Sequence, residues 1–118
     1  VSSTRRIHPA TKVFMALRIA VNKELEMLAS FMENVADLLN PQGRLCVLSF
    51  HSLEDRIVKH RIRELEKECT CPPSFPICVC KTKRVVRSLT RKALKPTEQE
   101  IRVNPMARSV RLRGAEKI

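Results

Sequence analysis

Residues 44 to 50, Arg-Leu-Cys-Val-Leu-Ser-Phe, form a short, mostly apolar, β-favouring run set between two helical patterns. Opened by a glycine turn, such a run reads as a strand buried on both faces, with Cys46 as a small buried apolar residue. Upstream, Phe14, Leu17, Val21, Leu25, Leu28, Met32, Val35 and Leu39 recur at spacings of 3, 4, 4, 3, 4, 3 and 4, which is a helix period. Pro9 suits its first turn, and Asn40-Pro41-Gln42-Gly43 stops it with a tight turn. The stripe is expected to face the core, as one helix or as two with a break near Asn22. Downstream, Ser52-Leu53-Glu54-Asp55 has the form of a capping box with Ser52 as the cap. It predicts a helix from about Leu53 to Lys67 with Leu53, Ile57, Val58, Ile62 and Leu65 on one face. Helix, strand, helix is the alternation of an α/β fold, where ligands gather beyond the carboxyl ends of strands. Phe50, His51 and Ser52 fall there.

The C-terminal third reads as two further strands, residues 84 to 90 and 108 to 113, able to pair antiparallel. Between them Thr97-Glu98-Gln99-Glu100 is a second capping box, opening a short helix that Asn104-Pro105 ends. The reading divides the chain into a basic lead and helical segment (1–40), a strand plus helix (44–67), a Cys/Pro-rich loop (68–82) and basic closing strands (83–118). Charge follows the same division. Lys and Arg total 23 against 12 Asp and Glu, a net +11, and residues 81 to 118 alone carry twelve basic and three acidic residues. That excess favours a polyanionic partner, nucleic acid first. No apolar stretch is long enough to span a bilayer and no signal-like segment opens the chain, so a cytoplasmic protein without a membrane partner is expected. The first residue is Val1, and the chain holds only two glycines, Gly43 and Gly114, too few for a glycine-rich cofactor loop. A truncated chain is the expectation.

Three groups of residues carry candidate chemistry. Cys69, Cys71, Cys78 and Cys80 form a C-x-C…C-x-C cluster around Pro72, Pro73 and Pro76. Four thiolates could close a tetrahedral structural Zn²⁺ site; free thiols or disulfides are the alternatives, disulfides being disfavoured in a reducing compartment. His51, Glu54 and Asp55 could suggest acid–base work, but helix N-termini attract carboxylates for structural reasons, and a part in shaping a substrate pocket fits His51 better. No nucleophile with its base is supported by spacing, so the catalytic residue is unknown. Arg5, Arg6 and His8, beside Ser and Thr hydroxyls, could contact phosphate or be solvated.

Three strings then coincide. STRRIHPAT leading into FMALRIAVNKEL, GRLCVLSFHSLEDRIVK, and LTRKALKPTEQEIRVNPMARSVRLRGAEK together resemble the C-terminal part of the bacterial ribosomal RNA small-subunit methyltransferase H family, also called MraW. The resemblance covers essentially all 118 residues. It implies a class I, Rossmann-like methyltransferase sheet with an inserted helical domain, in which residues 44–50 are the fifth strand and the last two strands close the sheet. It implies an enzyme that methylates the N4 amine of a cytidine in small-subunit (16S) rRNA, with S-adenosylmethionine as cofactor and rRNA or the ribosomal subunit as partner. Carried over by position, Arg5, Arg6, His8, Ser49, Phe50, His51, Ser52, Arg108 and Ser109 are similar to an acceptor-side wall that binds substrate RNA. The family's donor-binding half has no counterpart in these residues, so this chain alone is expected to be inactive and to lack the donor site. It would need the missing N-terminal half or a partner chain to complete its sheet, and a dimer would serve the same end. Two other readings stay open: a stand-alone basic RNA-binding module with a Zn-stabilised Cys₄ loop, and a non-catalytic sheet-completing fragment.

Overall fold

The structure, a computed structural model, describes residues 8–69, 71, 72, 74, 77, 78, 80 and 82–118. In chain order these form α1 (Pro9–Asn22), α2 (Glu24–Leu38), β1 (Arg44–Ser49), α3 (Ser52–Glu66), β2 (Val86–Ser88), α4 (Glu98–Val103), a 3-10 helix (Pro105–Ser109) and β3 (Arg111–Lys117). The chain is α/β, with a three-stranded sheet of order β1-β3-β2. β3 is antiparallel to both neighbours, so β1 and β2 run parallel to each other, joined by the connection that contains α3, and the last strand fills the slot between them.

The predicted long helix is two helices. Lys23, with φ 52° and ψ 34°, takes the left-handed conformation and ends α1 one residue after the expected break. Glu24 braces the joint, its carboxylate accepting from Asn22 and from Arg18. The break changes which part of the apolar stripe is core. Met32 and Val35 are buried with Val58 and Ile62 of α3, Val86 of β2 and Ala115 of β3, and Leu28 packs against them. Phe14, Leu17 and Val21 of α1 do not reach this core and remain exposed. The expectation of a single core-facing stripe therefore fails for its first half, because α1 leaves the line of α2. Arg61 of α3 donates to the carbonyls of Met32 and Glu33 and ties α2 to α3.

β1 is buried on one face only. Leu45, Val47 and Ser49 point toward α3, whereas Arg44, Cys46 and Leu48 are exposed. Both corrections, to the doubly buried strand and to a buried Cys46, have one cause: antiparallel pairing with β3 leaves a face on which none of the described helices of the α2–α3 layer packs. The preceding turn is as expected, with the Gly43 N–H donating to Asn40 O at 2.8 Å and Gln42 at φ 63°. A Cβ on Gly43 would stand 2.7 Å from Asn40 O, so the closeness of that approach requires glycine. β3 also differs from expectation. Residues 105 to 109 form the 3-10 helix, capped by the Asn104 side chain, so Arg108 and Ser109 are not in a strand, and β3 runs on to Lys117. Cross-strand pairing overrides the weak β preference of Gly114, Glu116 and Lys117.

Register decides the ion pairs. Glu116 lies opposite Arg44 on one side and Arg87 on the other, and accepts from both at 3.0 and 2.6 Å. On the inward face, Val47 and Ser49 lie opposite Arg113 and Arg111. Both arginines reach the buried Asp55 in the first turn of α3. Arg113 donates through Nε at 2.7 Å and through a terminal nitrogen at 3.2 Å, and Arg111 donates at 3.1 Å. The hydrogen bonds from Arg113, reinforced by Arg111, outweigh burial and hold the Asp55 carboxyl below the ordinary aspartate range.

Removing Asp55 strands the mostly buried Arg113. Asp55→Ala should therefore cost about 3 kcal/mol in denaturant unfolding. Because the Asp55 carboxyl titrates lower folded than unfolded, its contribution is fully present above the unfolded value of about 3.9 and is lost as pH falls through the folded value. The variant should show a flatter decline of stability below about pH 5 than the parent protein; identical acid limbs would contradict this.

Candidate functional site

An open cleft of about 640 Å³ lies beyond the carboxyl end of β1. Its wall comes from four parts of the chain: Thr11, Lys12 and Met15 of α1, Phe50, His51 and Ser52 after β1, Lys95, and Arg108 to Arg111. Five of the residues that sequence reading singled out meet here: Phe50, His51, Ser52, Arg108 and Ser109. Ser49 ends β1, buried, and does not line the cleft. His8 caps α1, its Nδ1 accepting the Ala10 N–H at 3.2 Å, and is likewise outside the lining. Arg5 and Arg6 lie outside the described residues.

Among the described residues, the cleft contains Lys12, Lys95, Arg108 and Arg111 and no carboxylate. Phe50, 60% exposed, is its aromatic surface. Lys95 is held in place by its neighbour Leu94, which bridges Leu112 of β3 through two backbone hydrogen bonds of 2.9 and 3.0 Å. Arg108 is set by the 3-10 helix, which the Val110 N–H closes onto Ala107 O. Lys12, Met15 and Lys95 were missed from sequence because nothing local links α1 or residue 95 to the end of β1. A smaller concavity of about 350 Å³ between α3 and β2 gathers Lys59, Arg63, Arg91 and Arg113, but it includes Glu66 and no aromatic residue.

His51, not Ser52, caps α3. Its Nδ1 accepts the Glu54 N–H at 3.4 Å, and the Glu54 carboxylate accepts the N–H groups of Phe50 and His51 at 2.7 and 3.3 Å. The capping box expected at Ser52-Asp55 is therefore shifted back one residue, because Asp55 is drawn away by Arg111 and Arg113. Accepting at Nδ1 puts the ring proton of a neutral imidazole on Nε2. Nε2 is buried 3.2 Å from Glu54 Oε1 yet out of line for a hydrogen bond, and has no such partner. Glu24, from the joint between α1 and α2, comes within 4.8 Å of the same group. Its carboxyl is held low by the Asn22 and Arg18 hydrogen bonds. Both carboxylates are thus engaged in local bracing, Glu24 at the helix joint and Glu54 at the cap.

Many of the C-terminal arginines are already paired. Arg84 bonds Glu66, Arg87 bonds Glu116, and Arg111 and Arg113 bond Asp55. Lys83, Arg91, Lys92, Lys95, Arg102 and Arg108 make no ion pair among the described residues. The surface able to meet an anionic partner is thus narrower than the charge count suggests. Away from the cleft, the sulfurs of Cys69, Cys71, Cys78 and Cys80 converge, with Cys46 apart in β1. Thiol contacts from Cys80 and Cys69 push the Cys78 thiol up.

The whole chain, residues 1–118, matches the model of the MraW methylase family. It is similar to proteins named ribosomal RNA small subunit methyltransferase H: 62% identical over 115 residues to that of Desulfosudis oleivorans, covering 98% of this chain and 37% of the relative. With that of Desulforapulum autotrophicum it shares 59% over 114 residues, 97% of this chain and 36% of the relative. With that of Thermomicrobium roseum it shares 52% over 117 residues, 99% and 36%. The chain thus spans little more than a third of the length of these curated relatives. With a family match over every residue and relatives at 52–62% identity across nearly all of it, the chain belongs to the MraW methylase family.

Proposed function

We propose that this chain is the acceptor-side and RNA-binding part of an S-adenosylmethionine-dependent methyltransferase acting in the cytoplasm on the N4 amine of a cytidine in small-subunit (16S) rRNA. The observation that carries this reading is the composition of the cleft: one exposed aromatic ring, four cationic side chains and no carboxylate at a strand's carboxyl end. A base taken out of its stack needs an aromatic or apolar face to rest on, and the flanking phosphates need cations. Phe50 offers the first; Lys12, Lys95 and Arg108 offer the second.

The sheet supports the fold half of the proposal. A last strand inserted between two parallel strands suits the closing edge of a class I methyltransferase sheet, with β1 as its fifth strand. The outer edge of β1, which carries no further strand among the described residues, is where the rest of that sheet would pair. The exposed side chains of Phe14, Leu17 and Val21, and of Leu48 on the outer sheet face, are surfaces that the remainder of a relative-length protein would cover. Gly43 is taken by the turn before β1 and Gly114 lies inside β3, so neither opens a helix toward a ligand.

What these residues contribute is position. The cytosine N4 lone pair is delocalised into the ring, so the amine must be held in one orientation, and holding it is worth more than a strong base. With Nδ1 occupied by the Glu54 N–H and Nε2 buried beside Glu54, His51 shapes the cleft wall by holding Phe50 and Ser52 at the start of α3. No described residue lining the cleft is a carboxylate, so these residues serve the amine by orienting it.

Incubating the full-length protein with labelled S-adenosylmethionine and small ribosomal subunits, then digesting the RNA to nucleosides, should give N4-methylcytidine. Label on carbon 5 or on ribose would overturn the proposed acceptor. Changing Lys95 and Arg108 to Gln should weaken RNA binding and reduce the salt slope by about 0.7 for each phosphate no longer neutralised. His51→Ala should cost about 1 kcal/mol of stability through removal of the cap and weaken RNA engagement, while His51→Asn, a favoured cap residue, should restore the stability. A fully stable His51→Ala protein would refute the capping role.

A further inference from the structure

The connection from Lys67 to Val85 has no helix or strand among its described residues, and it exceeds the ~12–15 residues beyond which unsupported loops are uncommon. Its base is well fixed. The Val85 N–H donates to Leu65 O at 2.9 Å, and Glu66 accepts from Arg84 and from the Ser88 N–H, both at 3.0 Å. Several described residues of its tip stand in solvent: Ile77 is 74% exposed, and Cys69 and Cys78 are exposed too, with Cys71 and Cys80 half-buried. Cysteines outside disulfides are normally among the most buried residues. Here four of them converge on an exposed loop.

Their geometry is specific. Sγ of Cys69 lies 3.4 Å from that of Cys78 and 3.5 Å from that of Cys80, and Cys78 lies 3.4 Å from Cys80 and 3.9 Å from Cys71. All four sulfurs fall within 4.8 Å of one another. A tetrahedral Zn²⁺ with Zn–S bonds of about 2.3 Å requires sulfur separations of about 3.8 Å, so the four stand near the corners such an ion demands. The Cys71 N–H also donates to Cys69 Sγ at 3.4 Å, the kind of second contact that stabilises a metal-bound thiolate. Each C-x-C arm delivers both of its sulfurs, and the two arms face each other. Four thiolates would leave such a centre at 2−, and the sequence that follows Cys80, residues 81 to 84, carries three basic residues.

We propose that Cys69, Cys71, Cys78 and Cys80 bind one Zn²⁺ in a closed, four-thiolate structural site that staples the tip of the α3–β2 connection. With all four positions filled by protein there is no place for water or substrate, so the ion takes no part in group transfer. The site lies outside the cleft and stands whether or not the proposed reaction is correct.

The test uses the full-length protein, purified under reducing conditions without chelator. Elemental analysis should find about one Zn per chain. Replacing it with Co²⁺ should give the strong thiolate-to-metal charge-transfer and d–d bands of a tetrahedral sulfur site. Cys69→Ser combined with Cys78→Ser should lower the metal content at least tenfold and speed protease cleavage within residues 68–82, with the far-ultraviolet circular dichroism spectrum showing that the variant is folded. Glu24→Gln, which alters the carboxylate–imidazole group near His51, should leave the zinc content unchanged. A reduced protein that neither contains nor takes up Zn²⁺ or Co²⁺, retention of zinc by the folded double serine variant, or loss of zinc in Glu24→Gln would overturn the assignment. So would disulfides among these cysteines in protein isolated with its thiols trapped.

Discussion

Asp55 joins the two halves of this chain. It stands in the first turn of α3, 58 residues before Arg113, and receives three hydrogen bonds from two arginines of the last strand. A buried carboxylate carries a desolvation cost that only close cationic donors offset, so the contact constrains everything attached to it. It sets α3 over β3 and turns alternate residues of β3 inward. It also takes Asp55 away from the helix cap, leaving His51 and Glu54 to cap α3. The outward residues of the same strand then meet Arg44 and Arg87 through Glu116.

The cleft follows from that arrangement. Once α3 and β3 are joined, the end of β1 and the approach to β3 lie side by side, and the 3-10 helix brings Arg108 and Ser109 to face Phe50 and His51. α1, leaving the line of α2 at Lys23, adds Lys12 and Met15 from the third side. Charge is sorted in the process. Arginines that look alike in sequence become internal ties, as Arg113 does, or stand at the cleft with no ion pair among the described residues, as Arg108 does. Binding capacity for an anion therefore depends on which cations are left without an internal partner, a different quantity from net charge.

Membership of the MraW methylase family accounts for features that look unfinished in isolation. The apolar side chains of α1, the outer edge of β1 and Leu48 on the outer sheet face are surfaces of a chain that spans little more than a third of its relatives' length. The Cys₄ cluster is of another kind. Its four sulfurs converge using residues of this chain alone.

The sequence alone determined what local hydrogen bonding and periodicity control. Thr97 caps α4 and Glu100 completes its box as read, the Asn40–Gly43 turn closes as read, α3 lies within one residue of its expected ends, and the family strings were legible directly. The tertiary structure decided the rest. Neither the choice of His51 over Ser52 as the cap, nor the open face of β1, nor the start of β3 at Arg111, nor the arrival of Lys12 and Lys95 at the cleft has a local signal. Each depends on partners tens of residues away. Whether an apolar residue is core or an arginine is a ligand is set by what stands opposite it, and that is known only when the strands have paired.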